Sequence, residues 1–135
     1  MYLTGQQALN LPCSLETCGD WHGSALQWRR LHLRSSERSV FADYGIETGV
    51  SVPEHTKKYN VANHIRALLD LLEEGKFSVA QGMNRDYICN DRYTQEVFGN
   101  VVRLRGLPHW DGIDRFMGRE YLGKWLDYKE KIGDA

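Results

Sequence analysis

Apolar positions along this chain change their period near residue 60. In the second half Val61, Ile65, Leu68, Leu69 and Leu72 recur at i, i+4, i+7, i+8 and i+11, which predicts a helix over 61–74 that Asn60 caps and Gly75 ends. Tyr93, Val97, Val101 and Leu104 repeat the spacing, widened by Phe98 and Val102, and predict a helix over 92–104 stopped at Leu107-Pro108. A third helical stretch follows Asp111 through Ile113, Met117, Tyr121, Trp125 and Tyr128. Gly118 and Gly123 each cost it about 1 kcal/mol relative to alanine, so either another backbone approaches closely there or the helix is in two pieces.

The first half is strand-like. Thr4 and Gln7 match a capping box, so residues 5–10 read as a short helix that Pro12 stops. Residues 13–24 form an irregular segment with Gly19 and Gly23. Leu26–Leu33 and Ser39–Tyr44 read as two antiparallel strands, and Ile46 with Val50-Ser51-Val52 as a short third. The pattern is an α+β class: one domain over 1–135, strand-rich at first and helical over 60–130. A short N-terminal helix and a small antiparallel sheet pack against about three C-terminal helices, with the sheet on the 61–74 helix.

Composition supports an ordered core. The chain is 41% apolar, with four Trp, seven Tyr and four Phe, far from the regime of disorder. Seventeen basic against eighteen acidic residues give a charge of −1, which excludes a global field toward polyanions or membranes. No apolar run approaches the roughly 20 residues of a membrane span, and no secretory pattern opens the chain, so a cytoplasmic protein is expected. Three cysteines, Cys13, Cys18 and Cys89, lack the density of a disulfide scaffold and are expected to be reduced.

Reactive side chains crowd over residues 13–22. Cys18 as nucleophile with Asp20 and His22 as an acid/base pair would make a cysteine site, because an imidazolium beside a thiol favours the thiolate. The base in such sites usually comes from elsewhere in the chain, which brings in His64 or Asp43. Cys13, Cys18 and His22 are also zinc-ligand types, three of which would leave a fourth position open for water. Against both stands the reading of Cys13 and Cys18 as small packed residues. Asn63, His64 and Asp70 either line a cleft or form the polar face of the helix.

Other candidates concern binding. Arg29, Arg30, Arg34 and Arg38, interleaved with Trp28 and His32, would suit phosphates and a stacked base, although arginine is also an ordinary choice on an exposed strand. Trp110 and Trp125 belong to types that dominate interfaces, or else they close the core. Gly82–Tyr87 mixes flexible, polar and aromatic residues as binding loops do. Phosphate-loop, dinucleotide, serine-hydrolase and zinc-protease motifs are missing from the sequence. The leading expectation is therefore a protein-binding or regulatory protein without a cofactor, of the kind an inhibitor or antitoxin represents in a pair. Its binding residues would be Trp28, Arg30, Arg34, Trp110 and Trp125. The alternative is a small hydrolase or transferase at Cys18, Asp20 and His22, with or without zinc. Nucleic acid is a third partner class, and a membrane is not expected.

Overall fold

The computed structural model describes residues 1–19 and 26–133. It is an α+β fold in which a four-stranded mixed sheet is covered by helices. Strands β1 (Tyr2–Leu3), β2 (Leu33–Arg34), β3 (Ile46–Ser51) and β4 (Lys58–Ala62) lie in the order β2-β1-β4-β3. β1 runs antiparallel to β2 and parallel to β4, while β3 and β4 form an antiparallel pair with a register shift between Glu47 and Val50. The expected antiparallel sheet thus carries one parallel pair, because α1 (Gly5–Leu9) and the long excursion to β4 return the chain beside β1. No helix among the described residues is long and apolar enough to cross a membrane.

The helix expected at 61–74 is α2, His64–Glu73, capped by Asn63, whose Oδ1 accepts from Arg66 N at 2.9 Å. Val61 belongs instead to β4, opposite Leu3 and Glu47. It mimics the helical period because the end of the strand and the inner face of the helix look into the same core. Gly75, at φ +74°, ends the helix as expected. The 92–104 stretch is α4 (Thr94–Val101) flanked by 3-10 turns, and a short α3 (Phe77–Ala80) precedes it.

The last helical stretch is broken in two, as α5 (Trp110–Tyr121) and α6 (Gly123–Lys131). The break falls on Leu122, at φ +54° and ψ −132°, a region that costs a branched side chain on the order of 1–3 kcal/mol. Gly118 has open space around it, so no backbone approaches there. Trp125 is fully buried on the inner side of α6. Its indole N–H donates to Asp114 at 2.8 Å, and its ring meets Phe98 edge to face at 5.1 Å.

Residues 39–44 are not a strand, and 26–33 reaches one only at Leu33, the start of β2; polar side chains explain why. Residues 39–44 form successive turns because the Arg66 guanidinium takes the carbonyls of Ala42 and Tyr44 at 2.8 and 2.6 Å, turning them away from any ladder. Over 26–33, the Gln7 side chain holds the backbone. Its amide donates to Gln27 O and Arg30 O, and its carbonyl accepts from His32 N. Gln7 therefore makes no capping box, and Thr4 spends its hydroxyl on Asp70 at 2.7 Å.

The polar residues of α2 point inward. Arg66 and Asp70, one helical turn apart, are fully buried and paired at 3.0 Å. Asp70 accepts from Tyr2 OH at 2.6 Å and from Thr4, and Arg34 adds a cation at 3.2 Å. Burial, then the Asp70 hydrogen bond, push the Tyr2 hydroxyl well above the ordinary phenol range, so it remains a donor.

Removing one member of a buried pair strands the other charge. Asp70→Ala is expected to cost about 3–5 kcal/mol in urea denaturation; a loss under about 1 kcal/mol, the worth of one ordinary hydrogen bond, would demote the cluster. Leu122 is 69% exposed, so Leu122→Gly loses little packing and relieves the strained backbone. A rise of about 1 kcal/mol and a melting temperature higher by a few degrees are expected.

Candidate functional site

Cys18 is bonded to Cys89, with Cα atoms 5.8 Å apart and a sequence separation of 71. This corrects the expectation of reduced thiols. The loop 11–19 is pinned to the far segment by other bonds as well, Cys18 N to Tyr87 O at 2.8 Å and Glu16 N to Tyr93 OH at 2.9 Å, which bring the two sulfurs together. In this form Cys18 is neither a nucleophile nor a metal ligand. Asp20 and His22, the other members of the expected site, lie outside the described residues, as does Trp21. Among the described residues no group of three or more His, Cys, Asp or Glu is placed to hold a metal ion.

Cys13 remains a free thiol, half-buried, and its partner comes from another element. His64 stands at the first position of α2 and is almost fully buried, not facing solvent on a polar face. Its Nε2 lies 2.6 Å from the Leu11 carbonyl, which can only accept, so Nε2 carries the proton. Nδ1 lies 2.6 Å from the Thr17 hydroxyl, and Thr17 Oγ1 lies 3.7 Å from Cys13 Sγ. Burial pushes the Cys13 thiol up. The His64 side chain and the backbone N–H groups of His64 and Leu15 outweigh that and hold it below the ordinary thiol value. The sequence pointed to His64 as a base reaching in from afar, but attached it to Cys18.

Gly19 makes the wrap possible, since a Cβ there would sit 2.5 Å from both His64 Cε1 and Leu9 O.

The binding candidates scatter. Trp28 and Trp125 are buried in the core, and Trp110 is half-buried beside Trp125. Arg34 turns inward to Glu73 at 2.6 Å and to Asp70, whereas Arg30 is exposed with Arg29 and Arg38. With β2 only two residues long, the arginines do not form one ribbon.

Gly82–Tyr87 does become a distinctive structure. Met83–Ile88 winds as a π-helical turn between Gly82 (φ +89°) and Cys89 (φ +50°). The Glu120 carboxylate of α5 holds it by accepting from Gly82 N at 3.2 Å and Asn84 N at 3.1 Å. A cleft of about 1090 Å³ opens along this turn. Its wall carries the carboxamides of Gln6, Gln81, Asn84 and Asn90, with charges of both signs from Arg119 and Asp91. Cys89 lies on the same wall. Such a wall offers paired donors and acceptors and little apolar area, which suits a hydrogen-bonding ligand better than a greasy one.

Gly19→Ala is expected to lower the melting temperature and return the Cys13 thiol toward its ordinary pKa, read from the pH dependence of its alkylation; an unchanged pKa would separate the wrap from the thiol's acidity. Comparison with protein-family models, with curated proteins and with solved structures finds no significant match for this chain.

Proposed function

We propose that this chain is a protein-binding regulatory module of the cytoplasm, and that the polar cleft along the π-helical turn receives a hydrophilic segment of its partner. The wall carries the reading. The carboxamides of Gln6 and Gln81, with Arg119 and Asp91, line it, while Asn84 and Asn90 spend amide N–H groups on Glu120 O and Glu16 O, so the cleft presents polar groups of both kinds to a hydrophilic polypeptide segment. π-Helical turns are frequent at functional sites, and this one is braced by a carboxylate from a different element in addition to its own backbone bonds. A partner of that kind fits the inhibitor or antitoxin member of a pair. The cleft displaces Trp28, Arg34 and Trp125 as contact residues, since these are engaged inside the molecule.

A second reading has one observation in its favour. A hydrolase or transferase would use Cys13 with His64, in place of Cys18, Asp20 and His22, because the free thiol and the imidazole meet there.

The experiment introduces a photo-crosslinking residue at Arg85, on the cleft, and at Lys57, in the β3–β4 hairpin, within the native cell. The captured protein is then purified and its affinity measured. A single adduct from position 85 and none from 57, with Arg119→Glu weakening the affinity at least about tenfold, is the expected result. Equal capture from both positions, or an affinity indifferent to Arg119→Glu, would refute the cleft as the docking site. Turnover of a substrate that Cys13→Ser abolishes would favour the second reading.

A further inference from the structure

One disulfide and one free thiol in the same loop are the parts that a thiol–disulfide exchange needs. The electrophile is the Cys18–Cys89 bond, and both of its residues are exposed. Exposed disulfides are the ones that exchange, whereas buried structural ones resist. The nucleophile is Cys13, five positions before Cys18 in the same loop, and the loop already folds back so that Thr17, the neighbour of Cys18, touches the Cys13 sulfur. The surroundings of Cys13 favour its thiolate, the form that attacks a disulfide: His64 faces it, and so do the N–H groups of His64 and Leu15. The leaving group is Cys89. It ends the π-helical turn with a left-handed backbone, and it stands on the wall of the polar cleft.

We propose that Cys13, Cys18 and Cys89 form a thiol–disulfide relay. The Cys13 thiolate attacks Cys18 Sγ, a Cys13–Cys18 bond forms as the Cys18–Cys89 bond breaks, and Cys89 departs as a thiolate that takes a proton from water. One disulfide and one thiol are present before and after, so no oxidant or reductant is consumed. The exchange replaces a link between the loop and the π-helical turn by a link within the loop. It also delivers a free thiol to the wall of the polar cleft. The substrate class that this thiol suits is a disulfide carried by whatever enters the cleft. The relay itself does not depend on what that occupant is.

The titratable groups around Cys13 are His64 of α2, Glu47 of β3, which holds Ser14 through Oγ at 2.6 Å, and Glu16 of the loop, paired with Arg92. Of these only His64 acts on the Cys13 thiol directly, and it does so by lowering its pKa, so exchange should switch on below the pH at which ordinary thiols ionise.

The test is trapping of free thiols on the full-length oxidised chain. The protein is equilibrated between pH 6 and 9, quenched with acid, alkylated with N-ethylmaleimide and mapped by mass spectrometry. In the wild type, alkylation is expected on both Cys13 and Cys89, with exchange faster as Cys13 ionises. In Cys13→Ser, a near-isosteric change, Cys89 labelling should fall at least about tenfold. Cys89→Ser, reoxidised, should bond Cys13 to Cys18 and leave neither labelled. Labelling of Cys13 alone in the wild type at every pH would overturn the relay, as would equal Cys89 labelling with and without Cys13. Labelling of all three cysteines, which would mean that no disulfide is held, would overturn it too.

Discussion

The architecture depends on a buried charge pair within one helix. Arg66 and Asp70 sit on the inner face of α2, and each has unsatisfied valences that the rest of the chain must fill. Asp70 draws in Tyr2, Thr4 and Arg34, which fixes β1, the start of α1 and β2 on one side. Arg66 draws in the carbonyls of Ala42 and Tyr44 and the Tyr2 hydroxyl, which fixes the turns leading to β3 on the other. Burying an ion pair gains little net free energy against a well-packed apolar alternative. Its value here is positional: segments far apart in sequence are held in the register in which both charges of the pair meet their partners.

Close approach around this pair follows from the same demand. Gly45, at φ +70°, passes so near α2 that a Cβ would stand 2.8 Å from the Arg66 Cβ, and its carbonyl accepts from Asn63 N at 2.7 Å. Asn63 in turn caps α2 and so sets where the helix starts, which puts His64 at its first position with the N–H groups of the first turn around it. The loop 11–19 then closes over the imidazole. The ion pair and the thiol site thus share one helix, with His64 two residues before Arg66, and the acidity of Cys13 follows from where that helix begins.

How much of this the sequence announced follows a physical division. Helices whose inner face is wholly apolar were legible, since burial of Val97, Phe98, Val101 and Leu104, or of Ile113, Met117, Tyr121 and Trp125, is written in their spacing. Segments whose shape is set by a distant polar side chain were not. Residues 39–44 have strand-forming composition, yet a guanidinium 22 to 24 positions away dictates turns. Asn63, His64 and Asp70 looked like a solvated face because local pattern cannot distinguish a polar residue in water from one whose partner lies 68 positions off. The same holds for the site: the crowding of thiols near residue 13 was visible, the arrival of His64 was visible only as one option, and the Cys18–Cys89 bond spans too much chain to be read from spacing. Leu122 carried no signal, because a helical period runs smoothly through a residue whose backbone breaks it.

The Cys18–Cys89 bond matters most for what it couples. At one end it holds a loop whose own hydrogen bonds terminate on Glu47, Tyr93 and His64, so that end is already fixed without it. At the other it holds the last residue of the π-helical turn, which besides its own backbone bonds relies on Glu120 of α5 and on Tyr87 O meeting Cys18 N. A crosslink between a well-supported and a less-supported segment constrains mainly the latter, so its effect falls on the wall of the polar cleft rather than on the core. The ion pair of α2 is untouched by either sulfur. Exchange at the rim would therefore act on the cleft while the fold beneath it stays the same.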